Sequence, residues 1–342
     1  IFDNGIHGLV GVYHSAVGLA TYPIAQANDI PTVYSEPWND NVTANGIIEY
    51  DGRPPRFETD GIDYIFRIAP ASFMTSAVAI DWLLNQGVED VVIVAENTDY
   101  GIPAAATDQA LLEAGGVTVE TLYIEMGTDD FIPILSRIQA RPNPPDAVKS
   151  QITGETSLNF VQQMAELGIA PNEDTICIAN QFAFQSEQWW RSVPDGNWCT
   201  FQRVGIIPTL FNETTHRLAD DFRKIFHEDI ASFALASYDS VIIMADAMGR
   251  AGTFTGADAI VAALEATDLT ASQGRYYFEY TSDNPVPEGV PAWMWHQWPD
   301  PIVTMMQYYE VGQTGPEAAV IWPPAYQTHD TNYIAPGTTP GD

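Results

Sequence analysis

Lysine and arginine are scarce in the 342-residue sequence: 13 in all, against 45 aspartates and glutamates, for a formal net charge of −32. The acid content is ordinary; the bases are missing. Phosphate backbones are bound by Lys and Arg that displace counterions, so a surface this poor in cations makes nucleic acid and anionic membranes poor partners. No apolar run reaches the roughly 18 residues that span a bilayer, so the chain itself is read as not membrane-spanning. The stretch from Ile1 also lacks a basic segment followed by an apolar one. Cysteine is nearly absent: Cys177 and Cys199, with no CxxC, leave neither a zinc knuckle nor a haem attachment site, but one disulfide can form. The histidines, at 7, 14, 216, 227, 296 and 329, are dispersed, and His14 has no His, Cys or Glu at metal spacing, so no metal or cofactor is assigned. GxSxG, HExxH and GxxxxGK[ST] are missing too, and no nucleophile has a base beside it. The sequence therefore signals no catalytic centre, and the expectation is that the chain is not an enzyme, although a fold by itself does not exclude catalysis.

What is present is an alternation of apolar strand-like runs and amphipathic helical patterns, which predicts an α/β fold with largely parallel sheets. Strands are expected at 8–13, 30–34, 64–68, 91–95, 117–124, 147–152, 175–179, 204–208, 274–280 and 303–311. Helices are expected at 15–28, 72–86, 103–114, 131–138, 157–167, 214–226, 238–249 and 256–266, with 325–342 as a loop-like tail. The sequons at Asn41 and Asn212 permit glycosylation if the protein is exported.

Three stretches together resemble the type I periplasmic solute-binding proteins of the Leu/Ile/Val and amide or urea class, which deliver ligand to ABC transporters. The first is Gly11-Val12-Tyr13-His14-Ser15, a helix, then Ile30-Pro31-Thr32-Val33-Tyr34-Ser35. The second is Tyr64 to Pro70 (YIFRIAP), followed by Asp99-Tyr100-Gly101 and Gly127 to Phe131 (GTDDF). The third is Ala236 to Val241 (ASYDSV), running to Arg250-Ala251-Gly252-Thr253. No single motif is specific; their order and spacing are. The resemblance implies two doubly wound, Rossmann-like lobes with ligand held in the cleft between them. Mapped onto this chain, lobe one comprises 1–68 and 252–304, lobe two 69–251 and 305–325, and 326–342 is a C-terminal tail. Family members usually begin with a further strand, helix and strand, so the first βαβ unit of lobe one is expected to be absent from this sequence. Either the sequence is a piece of a longer chain, or another chain completes the sheet by adding strands.

Ligands of open α/β sheets bind beyond the carboxyl ends of the strands, where helix N-termini present free N–H groups. Ser15 follows the first strand at such a point. Its hydroxyl and the amides after it are expected to hold a ligand carboxylate or carbonyl, as the matching serine does in relatives; the plain alternative is a helix N-cap. The loop Glu36-Pro37-Trp38-Asn39, after the second strand, is expected to form the floor of lobe one's half of the site, with Pro37, Trp38 and Asn39 as the candidate contacts, Trp38 as a flat wall and Asn39 as donor and acceptor. The family commonly has small or hydroxyl residues there, a departure that weakens the inference to leucine, isoleucine or valine. Tyr13 and His14 are candidate walls, with core packing the other account of Tyr13.

In lobe two, Tyr100, Thr153 with Gly154, and Gln181 with Phe182 each follow a strand. Tyr238 and Asp239 are expected to open a helix near the cleft. Asp239 is the candidate to meet a ligand ammonium or amide N–H, against the rival role of a first-turn acid favoured by the helix dipole. Of Trp189 and Trp190, one is expected in the core and one at the surface. Trp293, Trp295 and Trp298 alternate as in a strand, with core the favoured fate over an exposed assembly patch. Cys177 and Cys199 can bridge if their Cα atoms approach within about 7 Å.

The expected function is capture of an amino acid, amide or urea-like solute by an exported protein, extracellular or periplasmic and free or cell-surface attached, for an ABC transporter permease. Two other readings stand beside it. One is a self-assembling subunit that reuses the fold and polymerises at an open sheet edge. The other is a ligand-sensing receptor domain, which needs a fused output segment.

Overall fold

The computed structural model describes residues 5–44, 62–154, 156–179 and 189–340. Its strands are β1 (Leu9–Gly11), β2 (Thr32–Tyr34), β3 (Ile65–Arg67), β4 (Asp90–Glu96), β5 (Thr118–Ile124), β6 (Ala147–Gln151), β7 (Ile176–Ala179), β8 (Thr200–Val204), β9 (Asp268–Ala271), β10 (Gly274–Tyr277), β11 (Val303–Gln307) and β12 (Ala319–Trp322). The class is α/β, as expected. The chain divides into a first unit, Ile1–Ser72 with Gly205–Ile302, and a second, Phe73–Val204 with Val303–Asp342. Residues 205–251, expected in the second lobe, thus belong with the first. The reason is packing: the helix Ser232–Ala251 lies against β1, β2, β9 and the helix Ala257–Glu265, all of the first unit.

In the first unit, β1, β2 and β3 form a parallel sheet in that order. Side chains alternate across it with the two-residue period of a strand. Val33 and Phe66 join Ile243, Met244, Ile260, Leu264 and Tyr276 on one face, while Tyr34 and Ile65 join Tyr22, Ala25, Ile30 and Val42 on the other. Both faces are covered, as in doubly wound sheets. The expected strand 274–280 stops at Tyr277 and forms an antiparallel hairpin with β9. No strand forms at 293–298; a three-residue helical turn, Ala292–Met294, replaces it. Trp293, Trp295 and Trp298 are all buried, so they make core and not an exposed patch. Asn212 caps the helix Glu213–Phe226: its Oδ1 accepts from Thr215 N at 3.0 Å, and its Nδ2 donates to the Ala271 carbonyl at 2.8 Å.

The second unit is a seven-stranded sheet in the order β12-β11-β8-β7-β6-β4-β5, in which β4 to β8 are parallel and β11 and β12 antiparallel. β4 is buried from Val91 onward, as expected of an apolar run in the middle of a parallel sheet. Between β4 and β6 the strand order reverses, the switch point at which such sheets hold ligands. The strand expected at 204–208 lies earlier, at Thr200–Val204, because Pro208 opens a three-residue helical turn instead. The tail is loop-like but docked: Gln307 exchanges hydrogen bonds with the backbone of Ile334, and Trp82 Nε1 donates to the Asn332 carbonyl. It belongs to the second unit and is not a separate segment. Trp189 is buried and Trp190 half-buried, its indole N–H donating to the Gln313 carbonyl.

Cys177 and Cys199 are bonded, with Cα atoms 4.9 Å apart, closing a loop at a sequence separation of 22. By chain entropy, a crosslink of that span stabilises the folded state by about 3 kcal/mol. The Cys177→Ser, Cys199→Ser double variant is expected to lose that amount in urea unfolding, and a midpoint unchanged by the substitutions would contradict it.

Candidate functional site

The carboxyl end of the first unit's sheet is shaped by a strained turn. Val12 has φ 69°, a left-handed conformation that costs a β-branched residue of order 1–3 kcal/mol and persists where surrounding structure imposes it. The turn brings the chain beside the next strand end, with Glu36 N donating to the Val12 carbonyl at 3.1 Å. Tyr13 is 46% exposed and meets Phe233 edge-on at 5.4 Å, so it is not core.

His14, not Ser15, caps the helix Ser15–Ala27. Its Nδ1 accepts from Ala16 N at 3.4 Å, and its carbonyl accepts from Val17 N and Gly18 N at 3.0 Å. Two expectations for Ser15 are thereby corrected: it is the first helical residue instead of the cap, and the amides after it are engaged by His14. Its buried hydroxyl accepts from Asn39 N at 3.1 Å, and its own hydrogen meets no acceptor among the described residues. With Nδ1 accepting, the hydrogen of the neutral His14 ring sits on Nε2, which is buried without a partner among the described residues.

The loop Glu36 to Asn39 is buried throughout. Pro37 packs on Gly18, where a Cβ would come within 3.0 Å of the proline ring. The Trp38 carbonyl accepts from Ser72 N at 2.7 Å and Ser72 Oγ at 2.9 Å. Asn39 Oδ1 accepts from Asn41 N at 2.8 Å and so serves the turn before the short helix Asn41–Ala44. The loop is gripped from β3 by Arg67, which is fully buried. Its Nη1 donates to the Asn39 and Pro37 carbonyls at 2.7 and 3.3 Å, its Nη2 to Thr43 Oγ1 at 3.3 Å, and its Nε to Gln297 Oε1. Burial pulls the Arg67 pKa down to about 10, against the opposing pull of Asp40.

Glu36 was expected in the floor loop but was given no role of its own. It is 7% exposed, and its Oε2 accepts one long bond, 3.3 Å, from Trp38 Nε1. Its other oxygen accepts from none of the described residues. Burial raises the Glu36 pKa to about 8, with the Trp38 bond opposing. The guanidinium that holds this loop is engaged by carbonyls and not by this carboxyl. An acid immediately after a buried strand end was the available signal, in Glu36 after TVYS and again in Glu96 after VVIVA.

Asp239 does not stand in the first turn of its helix. The helix begins at Ser232, so Tyr238 and Asp239 lie about two turns inside it and do not open it. Asp239 is fully buried, and its carboxylate accepts four bonds: from Ser272 N (2.9 Å), Ser272 Oγ (2.8 Å), Gln273 N (3.1 Å) and Tyr276 O–H (2.8 Å). Burial pushes its pKa up while these donors pull it back. It ties the helix to the β9–β10 turn, with three of the four bonds on Oδ2 and one on Oδ1. Tyr238 is half-buried.

In the second unit, the ends of β4 and β6 frame the switch point. Glu96 is buried and accepts the Thr153 hydroxyl on Oε2 at 2.6 Å. Thr98 Oγ1 caps the helix Gly101–Ala114 by accepting from Gly101 N at 3.0 Å and Tyr100 N at 3.3 Å. Only glycine fits at 101, where a Cβ would lie 2.1 Å from the Glu96 carbonyl oxygen. The buried Tyr100 donates its hydroxyl to Gln151 Oε1 at 2.6 Å, and Gln151 Nε2 and Lys149 Nζ both donate to Asp108 Oδ2 at 2.6 Å. Tyr100, Thr153 and Gly154 therefore come together at the switch point, with the Tyr100 and Thr153 hydroxyls turned toward protein acceptors. Gln181 and Phe182 lie outside the described residues. Among the described residues, no group of three or more His, Cys, Asp or Glu is placed to hold a metal ion, and no helix is long and apolar enough to cross a membrane.

A model of the periplasmic binding protein family matches residues 1–290. Leu/Ile/Val-binding protein homolog 6 of Brucella melitensis is 25% identical over 171 residues, which is 49% of this chain and 39% of that protein. Its counterpart in Brucella abortus is 26% identical over 140 residues, 41% of this chain and 32% of that one. The chain thus spans about two fifths or less of the length of these relatives. Among solved structures, a leucine-binding protein from Thermotoga maritima has a TM-score of 0.70 at 18% identity, covering 90% of this chain and 78% of that one. A solute-binding protein of an ABC transporter from R. palustris, in complex with benzoate, has 0.71 at 17%, covering 93% and 80%. A branched-chain amino acid binding protein from Streptococcus pneumoniae, in complex with isoleucine, has 0.69 at 16%, covering 92% and 78%. These structural likenesses establish the fold.

Proposed function

The chain belongs to the periplasmic binding protein family, and on that premise we propose that it captures a small polar solute, of amino acid, amide or urea type, for an ABC transporter. The observation that carries the reading is a set of polar groups at the strand ends of the first unit whose capacity is unfilled among the described residues: the Ser15 hydroxyl hydrogen, the buried His14 Nε2 and one oxygen of Glu36. Buried polar groups in native proteins are nearly always partnered, so a small polar guest that supplies partners here fits this set. A hydroxyl hydrogen and a ring N–H suit a carboxylate or carbonyl of the solute. Within the second unit itself, the Tyr100 and Thr153 hydroxyls at the β4 and β6 ends are held by their own hydrogen bonds. The small ligands of the structural neighbours, leucine, isoleucine and benzoate among them, support a guest of that size. The Cys177–Cys199 bond supports an extracellular or periplasmic site of action, since such bonds persist in oxidising compartments.

A thermal-shift screen of amino acids, small amides, urea and aromatic acids, combined with size-exclusion chromatography, tests this. Solute at a hundred times its Kd adds about 2.7 kcal/mol, which for units of this size raises Tm by roughly 5–10 °C. One chemical class is expected to do so on a monomer. A polymer that responds to none of them would defeat the reading.

A further inference from the structure

We infer that Glu36 is the group of the first unit that recognises an N–H donor of the solute, so that the protein takes solutes bearing an ammonium or amide nitrogen and discriminates against carboxylates that lack one. This rests on the solute-capture reading and names the chemistry of its guest.

The argument is one of elimination among the buried acids of the first unit, Asp239, Asp63 and Glu36, and the half-buried Glu265. Asp239 accepts four bonds from the β9–β10 turn. Asp63 accepts from Ile65 N on one oxygen and from Trp295 Nε1 on the other, at 3.0 and 3.1 Å. Glu265 meets His296 with one oxygen and the Ser282 hydroxyl with the other. Glu36 has one bond, at 3.3 Å, and an oxygen with none among the described residues. It is also the one of these acids that stands at a strand's carboxyl end, in a loop fixed on every side by Arg67, Ser15, Ser72 and Gly18. A buried acid without a cation is costly unless something supplies the missing positive or N–H partner. Arg67, which grips the loop, is engaged elsewhere, so no described side chain of the unit supplies that partner. Burial that raises the carboxyl toward neutrality fits the empty state, and an arriving ammonium favours ionisation.

The test is calorimetric titration of the full chain with two matched probe pairs: L-leucine against isocaproate, which is leucine without its amine, and benzamide against benzoate. In whichever pair binds, the nitrogen-bearing member is expected to bind at least about tenfold more tightly, the scale of one hydrogen bond to a charged group. Glu36→Met, which keeps the side chain's length and removes both oxygens, is expected to erase that preference. The same-sized Glu36→Gln is the second variant, expected to weaken leucine more than benzamide because it keeps an acceptor but no charge. Equal binding of isocaproate or benzoate by the wild type, or a preference that survives in Glu36→Met, overturns the role of Glu36 and leaves solute capture standing. Failure of all four probes to bind the wild type would overturn solute capture of this class and Glu36's role with it.

Discussion

Replacing Asp239 with alanine is expected to lower the stability of the first unit by about 4 kcal/mol, in the range seen when one partner of a buried charged network is removed. The carboxylate sits on the buried stripe Leu235, Ala236, Ser240, Ile243, Met244 of its helix. Its loss would strand Ser272 N, Ser272 Oγ, Gln273 N and Tyr276 O–H in a space that water does not reach. Each orphaned donor costs about 1 kcal/mol or more. Tyr276→Phe removes one donor and leaves the carboxylate three, so it is expected to cost only about 1 kcal/mol. Urea unfolding of both variants separates the structural role from a ligand role. An Asp239→Ala protein as stable as the wild type but unable to bind solute would show that the four bonds are dispensable and that the carboxylate serves the guest.

Much of the element order could be read from the sequence, because burial and backbone chemistry leave local marks. VVIVA announces β4, and Gly87 closes the preceding helix where the periodicity expects it, at Gln86. The disulfide was open from the sequence: with only two cysteines a single bond was possible, and the folded distance decides it. The start of the helix at Ser232 was not legible, since Ala231 precedes it without a side-chain cap and nothing marks the boundary. That one hidden start moved Asp239 from the helix interior to its opening and so created a ligand role for it. The unit boundary was hidden for a related reason: an apolar helical stripe fits any sheet, and only tertiary packing selects β1 and β2 as its partners. β12 escaped notice because four residues before a proline are too short to show a period. At the site itself, Ser15 looked like a cap because serine is a good one, whereas the ring of His14 does the capping. Arg67 and Glu36 carried a usable signal, a charge within or directly after an apolar run, which points to a buried group with a specific partner or need.

Glu36 gives the second large effect, and its sign is set by linkage. The ordinary glutamate value is 4.5 and the folded value is about 8, so between those limits the folded state holds a proton that the unfolded state has released. Stability from this group is therefore fully present below about pH 4.5 and is lost as pH rises toward about 8. The gap corresponds to about 5 kcal/mol at most. Glu36→Gln cannot ionise. Its stability relative to the wild type is expected to be near zero or slightly negative at about pH 4.5 and to climb by several kcal/mol by about pH 9. Asp63 and Asp239 are also raised by burial, but they are common to both proteins and cancel in the difference. Urea midpoints measured across that range decide the matter, and parallel pH profiles for the two proteins would mean that the Glu36 carboxyl is solvated or already paired. Saturating an ammonium-bearing solute should flatten the wild-type profile, because the guest supplies to the ionised carboxyl the charge that no side chain of the loop provides. The same group that weakens the empty protein above neutral pH is then the one that makes the filled protein selective.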